Sequence, residues 1–335
     1  MIHLPDHVLA LISCQEKNGH VCACRQTASQ RGRSMRTISL IAAIFCLTAC
    51  ANAAPEPTRQ PSSPSPASDA IEINVDVDGT QRSLILLPPK PTRALHEPLV
   101  MIFHGGGGSA KHMQGRSADL ANDLVQRGYA VAFMNGSTRL NRDKLRTWNA
   151  DYCCAYALKQ DIDEPAYVNA ALDAIAGHIR LDVDRVFLMG HSNGAMLSYR
   201  IADELAIRPR GLIIISGGMF DDQPDIPSGT SVLAFHAVDD ETLSFAGSSD
   251  DKSDRFRTAP HKPFDAVETF LANDLSCDPA RITRPANGTT IRNRACAAGA
   301  HLEIIRSDTG GHRWPQEITG FDLQSEIVDF VERQK

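Results

Sequence analysis

The sequence predicts an α/β fold, a mostly parallel twisted sheet covered by helices on both faces. Two patterns carry that reading. Five short apolar runs, PLVMIFHG, AVAFMNG, VFLMG, LIIISGG and VLAFH, are rich in large aliphatic and β-branched residues and bounded by Gly or Pro. Stretches with helical spacing separate them, and strands apolar on both sides belong in a sheet buried between two helix layers. A third observation is the segment VFLMGHSNGAML at 186–197, where strand-like residues give way to helix-like ones across one Ser set between two Gly.

The chain has 335 residues, 42% of them hydrophobic, enough for one large domain plus extra segments. Its formal charge of -6, with no dense block of Lys or Arg, argues against a nucleic-acid footprint. No obligate protein partner is evident. Residues 1–34 lack apolar periodicity and read as an extension ahead of the true start at Met35. From there MRTISLIAAIFCLTAC has a basic start, an apolar stretch too short for a stable span, and small residues before Cys50. That is the shape of an export signal over 35–49. The ending Leu47-Thr-Ala-Cys50 resembles a bacterial lipobox, which implies cleavage before Cys50 and lipid on that residue; the alternatives are secretion without lipid or a buried helix. A lipid there would anchor a soluble body to a membrane of the cell envelope. Residues 50–70, rich in Pro, Ser and Ala, cannot bury enough apolar surface to offset their ordering entropy and read as a tether.

The globular part is expected over 71–335. IEINVDVDG alternates apolar and polar, meets an Asp-Gly turn and continues as RSLILLPP, so an antiparallel hairpin comes first. Helices are expected over 117–127, 165–178, 194–205, 263–273 and 321–332, between the apolar strands. Residues 137–164 show no clear period and read as a long loop of the kind that shapes a substrate site.

Of nine Cys, Cys14, Cys22 and Cys24 precede Met35, Cys46 lies in the signal and Cys50 would carry lipid. Cys153, Cys154, Cys277 and Cys296 remain, an even number that suits disulfides in an exported protein. Cys277 and Cys296 flank a hairpin-like segment and form the favoured bridge, which leaves Cys153 and Cys154 as a vicinal pair or free thiols. Neither CxxC spacing nor a compact Cys/His cluster appears, so no metal and no cofactor is expected.

Gly190-His191-Ser192-Asn193-Gly194 is a G-x-S-x-G motif in the context that a nucleophile elbow requires, after a strand and before a helix. A serine hydroxyl needs a base, and the base needs a carboxylate. Asp239 and Asp240 follow the run VLAFH, and chemistry alone does not separate them. His312 follows in the loop TGGHRWP; His261 and His301 are rival bases that read more simply as loop and strand-end residues. His104 opens a run of four Gly whose N–H groups could approach a developing negative charge, with the N–H of Asn193 as a second donor. Trp148 and Trp314 stand beside these loops and are candidates to line an acyl or aryl pocket.

HGGGGS, TWNADYCC, GHSNGAMLSYRIA, HAVDDETLSF and GGHRWP together resemble the α/β-hydrolase esterases that include polyhydroxybutyrate depolymerases, feruloyl esterases and acetyl xylan esterases. The resemblance covers about 71–335. It implies an α/β-hydrolase fold, a triad of Ser192, Asp240 and His312, and an oxyanion hole built from Gly106 and Asn193. It further implies a small-molecule or oligomeric ester as substrate, such as polyhydroxyalkanoate oligomers, feruloyl esters or acetyl esters. The sequence departs from the family at Leu243-Ser-Phe245 and at Asp151-Tyr152, both near the expected pocket mouth, so acyl and alcohol specificity do not carry over. A peptidase or amidase with the same triad, or a non-catalytic envelope-binding lipoprotein, are the alternatives.

Overall fold

The Asp-Gly turn closes the expected hairpin. Strand β1 (Ile71–Val77) pairs antiparallel with β2 (Thr80–Leu87), and the turn residues Asp78 and Gly79 both take positive φ, 50° and 79°, the geometry whose twist matches the flanking strands. This computed structural model describes residues 70–335 apart from 92–93, 141–142 and 249–255. The extension over 1–34, the signal, Cys50 and nearly all of the tether lie outside the described residues.

Strands β3 (Glu97–Phe103), β4 (Ala130–Met134), β5 (Leu181–His191), β6 (Gly211–Ile215) and β7 (Ser231–Ala237) follow, then the hairpin of β8 (Arg281–Ala286) and β9 (Thr289–Ala295), and finally β10 (His301–Ser307). They form one sheet in the order β1-β2-β4-β3-β5-β6-β7-β10-β9-β8. The central six strands run parallel, whereas a hairpin at each edge is antiparallel. The edges are where one face can meet water, and β8 is exposed along almost its whole length.

The helices are α1 (Ala110–Arg116), α2 (Ala118–Gln126), α3 (Ala155–Lys159), α4 (Glu164–Ala176), α5 (Asn193–Arg200), α6 (Phe264–Asp274) and α7 (Leu323–Arg333). Their starts follow local chemistry. The Asp163 carboxylate accepts from the Ala166 N–H at 2.8 Å with Pro165 just inside α4, and Asp322 caps α7 in the same way. The helix expected over 194–205 ends at Arg200, and the loop expected over 137–164 contains α3 and is pinned by backbone bridges from Ser137 to Thr147 and from Gly108 to Arg146.

The pleat sorts side chains to two cores. Leu99, Met101 and Phe103 of β3 and Leu188 of β5 face one core with Tyr167, Leu197 and Leu271 from α4, α5 and α6. Val100, Ile102, Phe187 and Met189 face the other with Leu120, Leu124 and Ile327 from α2 and α7. Truncating Leu188, fully buried, to Ala removes contacts worth about 2–5 kcal/mol. Four central strands, β3, β5, β7 and β10, therefore deliver their following loops to one carboxyl edge, where open α/β sheets build their sites.

Candidate active site

Ser192 stands at the corner between β5 and α5 with φ 55° and ψ -121°, a conformation that costs a non-Gly residue strain. The flanking glycines are dictated by space: a Cβ on Gly190 would lie 2.2 Å from the Gly194 carbonyl oxygen, and one on Gly194 2.4 Å from that of Phe103. The corner turns the hydroxyl toward His312, with Oγ 2.8 Å from Nε2. Nδ1 of His312 lies 2.7 Å from Oδ2 of Asp240.

Asp240 is buried, and its Oδ1 accepts from the N–H groups of Thr242 and Leu243 at 2.9 and 2.7 Å. Burial pushes its pKa up, but hydrogen bonds from His236, His312 and the Leu243 N–H outweigh that and hold it well below the ordinary carboxylate range. An ionised Asp240 keeps the proton of His312 on Nδ1, which turns the Nε2 lone pair to Ser192. Asp239 has a separate job: its Oδ1 accepts from the Gly311 N–H at 2.8 Å and ties down the loop that carries His312. His261 and His301 take no part in this cluster.

The glycine run divides by hydrogen bonding. Gly107 donates to Arg146 O and Gly108 to Gly105 O, so their N–H groups are committed. Gly106 lies beside Asn193, since a Cβ on it would be 3.7 Å from the Asn193 Cβ, and both line the cavity in front of Ser192. That cavity has a volume of about 520 Å³, with the neighbouring Cys153 and Cys154 in its wall. Cys277 and Cys296 are placed as a disulfide pair.

Neither indole lines the cavity, which corrects the expectation for Trp148 and Trp314. Trp148 is completely buried; its Nε1–H donates to His104 O at 2.8 Å, its peptide N–H donates to Asn193 Oδ1 at 2.8 Å, and Asn193 Nδ2 donates back to Trp148 O at 3.1 Å. The side chain thus joins the glycine loop to the corner of Ser192. Trp314, also buried, donates from Nε1 to Ser117 Oγ at 2.7 Å, and its carbonyl accepts from Arg116. A long aromatic side chain near a catalytic loop has apolar layers on either side to choose from, and sequence position does not reveal which.

Further residues act on the site without a motif to announce them. His104 donates from Nδ1 to Gly105 O at 2.8 Å and accepts the Gly136 N–H on Nε2 at 3.0 Å; burial lowers its pKa to about 4. Buried Glu164 accepts from the Asn149 N–H at 3.1 Å and from Arg82 at 2.9 Å, while the Arg82 guanidinium sits 3.9 Å over the Tyr167 ring. A paired carboxylate under the segment Trp148-Asn149 fixes a loop that would otherwise lack regular structure.

Known proteins similar to this chain are named esterases. "Putative esterase NocK" of Nocardia uniformis subsp. tsuyamanensis is 28% identical over 340 residues, covering 90% of this chain and 95% of that protein. "Probable feruloyl esterase C" of Aspergillus niger is 24% identical over 152 residues, 45% of this chain and 50% of that protein. Among solved structures, an acetyl xylan esterase from Aspergillus awamori superposes with a TM-score of 0.53 at 15% identity, covering 78% of this chain and 99% of that one. No family model matches the chain. In sequence the chain is similar to proteins named esterases, and its fold is that of the α/β-hydrolases.

Proposed function

We propose that the chain cleaves carboxylic esters through an acyl-enzyme on Ser192, with His312 as the base, Asp240 as its orienting acid, and Gly106 and Asn193 as oxyanion donors. The observation that carries the reading is the unbroken relay from Ser192 Oγ to His312 Nε2 and from His312 Nδ1 to Asp240 Oδ2, at 2.8 and 2.7 Å. Oγ attacks the ester carbonyl carbon as Nε2 takes its proton. The carbonyl oxygen, now an alkoxide, accepts from the two N–H groups, each worth about 3 kcal/mol in other hydrolases. The tetrahedral intermediate collapses, the C–O bond to the alcohol breaks, and His312 returns the proton to the leaving oxygen. Water, activated by the same imidazole, then releases the acid and restores Ser192.

Acetyl, feruloyl and short hydroxyalkanoate esters are the proposed substrate range, a reading supported by the names of the relatives and by a cavity of about 520 Å³. The purified protein and its Ser192→Ala variant, assayed on p-nitrophenyl acetate, p-nitrophenyl butyrate and methyl ferulate, test it. Turnover that disappears in the variant is expected, and a folded parent inert on all three esters overturns it. We further propose export and lipid attachment at Cys50, supported by the lipobox-like ending and by cysteine usage that suits an oxidising compartment. Labelled palmitate that enters the expressed protein but not its Cys50→Ser variant is the expected result; equal labelling, or none, overturns the anchor.

A further inference from the structure

Leu145 lines the cavity in front of Ser192 from a strained backbone. Among the described residues, nine other than Gly take positive φ; eight are Asp, Ser or Ala, and only Leu145, at 61°, carries a large side chain. A Leu in that region costs strain that a Gly would not. Burial does not offset it, because Leu145 is 69% exposed and packs into neither core.

The backbone accounts for the conformation but not for the side chain. The Leu145 N–H donates to Gly107 O at 3.0 Å, the Gly107 N–H donates to Arg146 O at 2.8 Å, and Ser137 and Thr147 exchange two bonds of 2.9 Å. The turn is thus locked onto the glycine run, next to the oxyanion donor Gly106. Those bonds use main-chain atoms alone, so Gly or Asn at 145 would make them with less strain. The isobutyl group is left to meet whatever enters the cavity, and a strained residue at a site is a pointer to function.

The chemistry says which part of an ester lies there. The alcohol oxygen must stay within reach of His312 Nε2, which returns its proton. His312 and Thr242 border both the cavity and a second depression, where Arg116 and Arg313 stand among Asp239, Glu241 and Glu317. An apolar chain laid on that border would strip water from charged groups. The acyl chain is therefore left the wall that carries Leu145 and Met196.

We propose that the acyl part of the ester is apolar and longer than acetyl, and that Leu145 is the residue that selects it. The proposal rests on the esterase reading above. Two series test it: p-nitrophenyl acetate, propionate and butyrate lengthen the acyl part, whereas methyl, propyl and pentyl acetate lengthen the alcohol. In the unmodified protein kcat/KM is expected to rise about threefold per added acyl methylene, or about tenfold from acetate to butyrate. That butyrate-to-acetate ratio is expected to fall toward unity in Leu145→Gly and Leu145→Asn. It should survive in Leu145→Met, which restores an apolar side chain, and in Leu140→Ala, an exposed Leu of the same loop outside the cavity. The urea midpoint of Leu145→Gly should move little, since relief of strain opposes the extra freedom of Gly in the unfolded chain.

A ratio below about threefold in the unmodified protein, or one kept in Leu145→Gly or Leu145→Asn, overturns the proposal. So does a ratio lost in Leu145→Met or Leu140→Ala, or an effect of Leu145→Gly confined to the alkyl acetates. A large fall in the urea midpoint of Leu145→Gly would assign the side chain to stability and overturn it as well. No turnover of either series by the folded parent, or turnover indifferent to Ser192→Ala, would instead sink the esterase reading itself.

Discussion

Nε2 of His191 lies 2.6 Å from the backbone carbonyl oxygen of His312. A carbonyl only accepts, so Nε2 carries the proton, and burial, with the nearby His312 charge second, lowers the His191 pKa to about 3. The variable residue of the G-x-S-x-G corner is thus a neutral donor that holds the loop of His312. His312 is secured from three directions, by His191 at its carbonyl, by Asp239 through the Gly311 N–H and by Asp240 at its ring.

His191→Ala removes one of those holds and leaves the triad chemically complete. It is expected to lower kcat about tenfold, the worth of one hydrogen bond of about 1–1.5 kcal/mol, with KM moved less than threefold. Steady-state kinetics on a p-nitrophenyl ester check this, and a large rise in KM with kcat intact would argue for a substrate contact instead.

The adjacent acids are expected to differ sharply. Asp240→Asn keeps the shape but presents an amide to Nδ1, which favours the wrong tautomer of His312; a loss of kcat of about 10³–10⁴ is expected, as in serine hydrolases at large. Asp239→Asn retains an oxygen for the Gly311 N–H and is expected to cost less than about tenfold. Equal losses from the two substitutions would contradict the division of labour between them.

Trp148→Ala is expected to act on stability first. The side chain is fully buried against Phe103, His104 and Tyr167, with ring centroids 5.3, 5.0 and 6.4 Å away, and it donates to His104 O. Loss of a large aromatic from such a setting costs about 3–5 kcal/mol, read as a fall in the urea midpoint. Unchanged stability with altered acyl-chain preference would restore this residue to the pocket.

The legible parts were those fixed by local chemistry. The Asp-Gly turn, the apolar strands and the corner glycines each have one cheap geometric solution, and Ser192, Asp240 and His312 follow from their places after strands that end at one sheet edge. Asp240 could be told from Asp239 only by family resemblance, because both carboxylates stand at a strand end and only the fold decides which meets Nδ1. Arg82 and Glu164 gave no signal, since each has its partner far along the chain. The two Trp residues misled for a related reason: a neighbour of a catalytic loop in sequence can point into the core beneath it.

Stability is expected to fall as pH drops below the ordinary histidine range. His104 and His191 are held neutral in the fold, with pKa values lowered to about 4 and about 3, burial being the largest cause for both. An unfolded chain would bind protons on both near pH 6.5, so between that pH and about 4 the unfolded state binds more protons, and stability rises with pH across this window. Each residue adds a slope of up to about 1.4 kcal/mol per pH unit. Glu303 has the opposite sign: burial, with Glu326 second, pushes its pKa up to about 8 despite the nearby Arg333. Its contribution is present below about pH 4.5 and is lost as pH rises toward 8. Urea midpoints from pH 4 to 9 are therefore expected to peak between the two limbs. His104→Gln should lower the rise between about pH 4 and 6.5 by about one proton, whereas Glu303→Gln should remove the fall above about pH 6.5 and steepen the rise below it; an acid limb that keeps its slope in His104→Gln would show that His104 is protonated in the fold.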